Sequence, residues 1–273
     1  MQIKEVVIIP AKNQEFDSLL KLSSRAFLNA LMRITGEKPG IIEVLHQDVL
    51  TSRLKRGILD LPVLTHHGFC ISYEFHSMPI NDKTVLRNYQ YAIDLRVDVE
   101  VPVKPHFVSL DENKTPIPIV ELFPGVFSNP EVTFLADIDG EKSLNNINDK
   151  LENQVELDDD DAYHLALMPF FHHEKSREEV LEYMCQFINK IEISEEHKYI
   201  IKLVQILSVK AIFTDEKQEE FLGVIKMEST YIDRYERNLI NKVVEDTKRD
   251  LAMKMKADGV SSDFIFKYFG LIL

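Results

Sequence analysis

Asp60, Glu74 and His76 fall on two short runs that read as neighbouring strands, and together they have the makings of a hydrolytic site. In "FCISYEFHSM", residues 69–78, side chains of a strand alternate between faces. Phe69, Ile71, Tyr73 and Phe75 make one face apolar, while Cys70, Ser72, Glu74 and His76 make the other small or ionisable. Asp60 lies on the preceding run, "GILDLPVLTHHGF". A two-residue turn at His67-Gly68 sets Asp60 opposite Phe75. A three-residue loop, His66-His67-Gly68, sets it opposite Glu74. Gly in the third loop position suits a type I turn with a G1 bulge, so the second register is favoured. Directly opposed residues on one sheet face have Cβ atoms about 4.5–5.5 Å apart.

Two carboxylates that close repel and shift each other's pKa. A hard divalent cation such as Mg²⁺ relieves the repulsion, held by one or two carboxylates together with phosphate oxygens and water. Such an ion activates water and stabilises the departing oxygen of a phosphodiester. His76, of an ordinary pKa near neutrality, offers a base or a proton shuttle. The same pair on a solvated sheet face needs no function. Pro62 points to an edge strand, where charges are ordinary.

These residues must be held by a larger frame. Apolar residues from Phe16 to Leu31 recur at helical spacing and predict an amphipathic helix over 15–33, ended by "TGEKPG". "IIEVLHQDVL" follows as a short helix or an extended segment. After the hairpin, "NDKTVLRNYQYAIDLRVDV" predicts a helix capped by Asn81 or Asp82. "KPHFVSL", "IPIVELF" and "EVTFLADI" read as strands, and a helix is expected from Gly140. "AYHLALMPFF" fits strand or helix. From Ser176 onward the pattern is helical, opening on a Ser176/Glu179 capping box and closing on a long helix with Gly259 as its C-cap. Helix and strand alternate first and helices follow, so the expected fold is α/β: a core over 1–172 and a helical region over 173–273.

The chain has 273 residues, 45% of them hydrophobic, enough for a sizeable core. Its formal net charge of −13 argues against broad attraction to nucleic acid or anionic membrane. Residues 1–60 are the exception, with nine Lys or Arg against seven Asp or Glu. Cys70 and Cys185 make no disulfide framework, no apolar run reaches membrane-spanning length, and a cytoplasmic protein without a membrane partner is expected. The "ELDDDD" run reads as a solvated acidic loop. His172-His173 read as solvated too. The C-terminal helices suit packing or homo-oligomer formation.

The order of Asp60, a hairpin, "YEFHS" and a helix containing "LRNYQYAIDL" resembles the PD-(D/E)XK nuclease superfamily, and within it the transposase-type, recombination-promoting nuclease branch. The resemblance implies a restriction-endonuclease-like core, a mixed central sheet flanked by helices. It implies a Mg²⁺- or Mn²⁺-dependent DNA endonuclease with Asp60 and Glu74 as metal ligands. His76 stands where the superfamily has Lys. Glu43, in the segment before the Asp strand, is an auxiliary ligand on this resemblance. Arg87 and Tyr91 match its Arg-x-x-x-Tyr helix; they reach the phosphate or orient the acids, or else Arg87 pairs with Asp94 or Glu74 and Tyr91 is core. The substitution of His76 and the net acidity equally suit a non-catalytic relative that serves as a protein-interaction or self-association module.

Overall fold

The computed structural model describes residues 12–45, 48–50 and 56–225. The helix expected over 15–33 is two: α1 (Lys12–Ala26) and α2 (Leu28–Ile34). They part at Phe27, whose φ of −121° and ψ of 49° leave the helical region. Next come β1 (Ile41–Val44), β2 (Asp48–Leu50), β3 (Arg56–Ile58), β4 (Leu61–Thr65) and β5 (Cys70–His76). Helix α3 (Asp82–Val99) leads to β6 (Val103–Ser109), the small hairpin β7 (Glu121–Phe123) and β8 (Val126–Phe127), and β9 (Glu131–Phe134). Helices α4 (Gly140–Glu152), α5 (Asp159–Leu167), α6 (Arg177–Phe187), α7 (Glu195–Ile212) and α8 (Asp215–Val224) complete the described chain. The long helix and Gly259 cap expected near the C-terminus lie outside the described residues.

The central sheet runs β1-β4-β5-β6-β9. Its first three strands are antiparallel, and β5-β6 and β6-β9 are parallel. The mixed sheet flanked by helices is therefore α/β. The β4-β5 hairpin adopts the three-residue register. Leu61 pairs with Tyr73 and Leu64 with Cys70, the turn closes through Thr65 N–H to Phe69 O at 3.1 Å, and Gly68 takes a φ of +82° that other residues resist. Strand β4 is not an edge. It lies between β1 and β5, and Pro62 is tolerated because it sits beside the last residue of β1, where a missing N–H loses little.

The apolar face of β5 packs into the main core. Ile71, Tyr73 and Phe75 join Leu19, Leu31, Tyr163, Met184, Val204 and Leu207 in one cluster. Residues beyond 172 thus share a core with the sheet, so no separate core begins there among the described residues. The other face of β5 lies under α3. Cys70 packs with Leu59 and Leu95, and Glu74 is 3% exposed. Among the described residues no helix is long and apolar enough to cross a membrane.

Two local readings change. The aspartate run caps α5 rather than floating as a loop: Asp158 accepts from Asp160 N and Asp161 N, and Asp161 returns the bond to Asp158 N. Carboxylates gather there because the first turn of a helix presents unpaired N–H groups and positive potential. The His173 side chain is only 4% exposed, with Nε2 2.9 Å from Met168 O, and its ring fills the space where Gly140 has no side chain.

Candidate active site at the end of the central hairpin

Asp60 stands at the bend that feeds β4, one step beyond the Leu61–Tyr73 pair, and thus faces Glu74. The two are locked by the backbone. Phe75 N donates to Asp60 Oδ2 at 2.9 Å, and the Asp60 N–H donates to the Glu74 carboxylate. The second Glu74 oxygen, Oε1, is buried without a hydrogen-bond partner among the described residues. A lone buried carboxylate oxygen is unusual, since such atoms are nearly always paired.

The charge balance follows from burial. Loss of water pushes the Glu74 carboxyl up to about 8, the negative charge of Asp60 adds to the rise, and Arg87, the Asp60 N–H and Lys21 oppose it. Glu74 therefore holds a proton at neutral pH until extra positive charge arrives. His76 is pulled down to about 4, chiefly by burial, with Asp60 opposing and Arg87 assisting. Its ring lies against Phe107, centroids 5.7 Å apart, and its Nε2 has no partner among the described residues. At neutral pH it is an uncharged imidazole and a weak base.

The cation that stands closest to the pair was not anticipated. Lys21, on α1, places Nζ 2.7 Å from Asp60 Oδ1. Its distance from Asp60 in sequence hides it from motif reading; the only available signal was a polar residue interrupting the apolar stripe of the first helix. Of the residues on α3, Arg87 is exposed, donates from Nε to Asn88 Oδ1 at 3.4 Å and acts on Glu74 and His76 through its charge. Tyr91 instead packs with Leu59, Cys70 and Leu95.

Glu43 is not brought to the pair. It lies exposed on β1 opposite Leu64, and Leu64 is four residues along the chain from Asp60, at about 3.3 Å each. The reason is that the segment carrying it is an antiparallel strand rather than a helix crossing the strand ends. A cavity of about 380 Å³ lined by Lys114, Phe171, His172, His173 and Arg177 includes none of the predicted site residues. The acid pair instead reaches the surface through Asp60 and Lys21, 14% and 28% exposed at the side chain.

The donor set fits a hard divalent cation. It offers two facing carboxylates, one with an orphaned buried oxygen and a proton that added positive charge would release. A comparison with known protein families, curated proteins and solved structures finds no match to this chain.

Proposed function

We propose that the protein is a metal-dependent DNA endonuclease of the PD-(D/E)XK, recombination-promoting type. The observation that carries the reading is the Asp60–Glu74 pair: backbone-locked, buried on the Glu74 side, and with one Glu74 oxygen lacking a hydrogen-bond partner among the described residues. The mixed α/β sheet agrees with it. Asp60 and Glu74 would hold Mg²⁺ or Mn²⁺, which supplies an activated water and charge stabilisation at a phosphodiester. Asp60 is fixed by Phe75 N–H, so its carboxylate is preorganised. Lys21 brings an ammonium to Asp60 at the partly exposed rim, the charge that neutral His76 lacks. His76 hydrogen-bonds or orients water through its unpartnered Nε2. Arg87, exposed beside the acids, attracts a backbone phosphate.

A second reading rests on the Lys21–Asp60 ion pair, which partly satisfies the acid without a metal. On that reading the fold serves as a protein-interaction or self-association module. One experiment separates the two. Mn²⁺ is titrated calorimetrically into wild type, Asp60→Ala and Glu74→Ala, and supercoiled plasmid is then offered with Mg²⁺ or Mn²⁺. The nuclease reading expects a Mn²⁺ binding event and nicking in wild type, and in the variants the loss of nicking and of that binding event, whatever ion other groups of the chain still take up. No binding at millimolar metal, or equal nicking in all three, rejects it.

A further inference from the structure

A second cluster lies on the opposite face of the sheet from Glu74, toward the main core. Lys104 and His106 are two residues apart on β6 and so share a face. His106 pairs with Tyr73 of β5 on one side and with Glu131 of β9 on the other. Glu37, on the segment after α2, reaches the same spot. One oxygen from each glutamate and one His106 nitrogen lie within 4.8 Å of one another.

The imidazole is set up as a ligand. His106 is 3% exposed, and its Nε2 lies 2.9 Å from Thr133 Oγ1. A neutral ring that donates from Nε2 to this hydroxyl presents a bare lone pair at Nδ1. That Nδ1 is buried, without a hydrogen-bond partner among the described residues, and 3.8 Å from Glu131 Oε2. Burial keeps the ring neutral by pulling its pKa down to about 4, against the opposing charges of Glu131 and Glu37. A lone pair facing two carboxylates is unfavourable unless a cation stands among them. At present that cation is Lys104, whose Nζ pairs with Glu37 Oε1 and lies 2.7 Å from Glu131 Oε2. The ammonium donates to the two glutamates and not to Nδ1, which is left out.

We propose that Glu37, His106 and Glu131 form a divalent transition-metal site, of the class that takes Zn²⁺, with Lys104 as its displaceable internal competitor. Imidazole and carboxylate ligands suit Zn²⁺, and the Thr133 hydroxyl at the far ring nitrogen can accept its N–H, the place a second partner takes behind a metal-bound histidine. Tetrahedral zinc ligands stand about 3.3 Å apart, so closing from the present spacing needs only side-chain adjustment. Entry is from the side of Glu131 and Lys104, which are 47% and 33% exposed at the side chain. Lys104 swings out on its flexible stem as the ion enters. The ion would tie the segment after α2 to β6 and β9. The proposal does not depend on the nuclease reading.

The test uses the full chain freed of metal by chelation and titrated with Co²⁺, a visible-absorbing stand-in for zinc. Wild type should develop a d–d band that persists in Asp60→Ala, which separates this site from the acid pair. Glu131→Gln, on a half-exposed residue, should weaken binding at least about tenfold, and His106→Gln should alter the band. Lys104→Met should tighten binding at least about tenfold and raise the thermal stabilisation given by Zn²⁺. Absence of a band in wild type at millimolar Co²⁺ overturns the proposal. So does a band unchanged in both Glu131→Gln and His106→Gln.

Discussion

Replacing Glu74 by Gln tests the acid pair without any assay of cleavage. The Glu74 carboxyl sits at about 8 in the fold against 4.5 in the unfolded chain. Below 4.5 both states are protonated and burial of the acid carries no penalty. Between 4.5 and 8 the unfolded chain gives up the proton and the folded chain keeps it, so stability falls as pH rises. Above 8 the loss is complete, on the order of 5 kcal/mol when each pH unit is worth about 1.36 kcal/mol. Gln is neutral throughout and keeps an acceptor for the Asp60 N–H. Urea unfolding at several pH values from 4.5 to 9 should show wild type and Glu74→Gln nearly equal at the acid end. The variant should be the more stable by several kcal/mol at the alkaline end. Millimolar Mg²⁺ should narrow that alkaline gap, because a cation beside the pair favours the ionised carboxylate. A difference that stays constant across pH would refute the reasoning, since it would mean that Glu74 ionises in the fold as it does in water.

Other outcomes follow from the same structure. Lys21→Met removes the charge 2.7 Å from Asp60, and plasmid nicking should fall at least about tenfold, with a smaller fall in His76→Gln. His76 is held neutral, with a pKa lowered to about 4 from 6.5. The unfolded chain takes up that proton first as pH falls, so stability should drop between these values, and His76→Gln should drop less in urea unfolding. Ser176→Ala breaks the capping box of α6 and should lower stability by about 1 kcal/mol in thermal or urea denaturation, with no effect on metal binding.

What the sequence by itself determined was local. Period-two alternation put Glu74 and His76 on one face of β5. The Gly68 loop fixed the hairpin register, because a residue at positive φ selects one turn and the turn selects every pair behind it. The Asn81-Asp82 pair and Ser176 announced their helices, because a cap bonds to N–H groups three residues away, and Asn81 is the cap of the first. Only the tertiary structure decided the rest. Lys21 reaches Asp60 because α1 packs its apolar side on β5, which no spacing in the chain encodes. Glu43 falls away from the acids because β1 runs antiparallel to β4. His106 and Glu131 converge because parallel pairing of β6 with β9 closes a gap of many residues, and Glu37 joins them from the segment after α2. Burial, too, is a property of the assembled fold: α3 covers the face that the strand pattern shows only as polar, and that cover turns Glu74 from a surface acid into one that holds its proton at neutral pH.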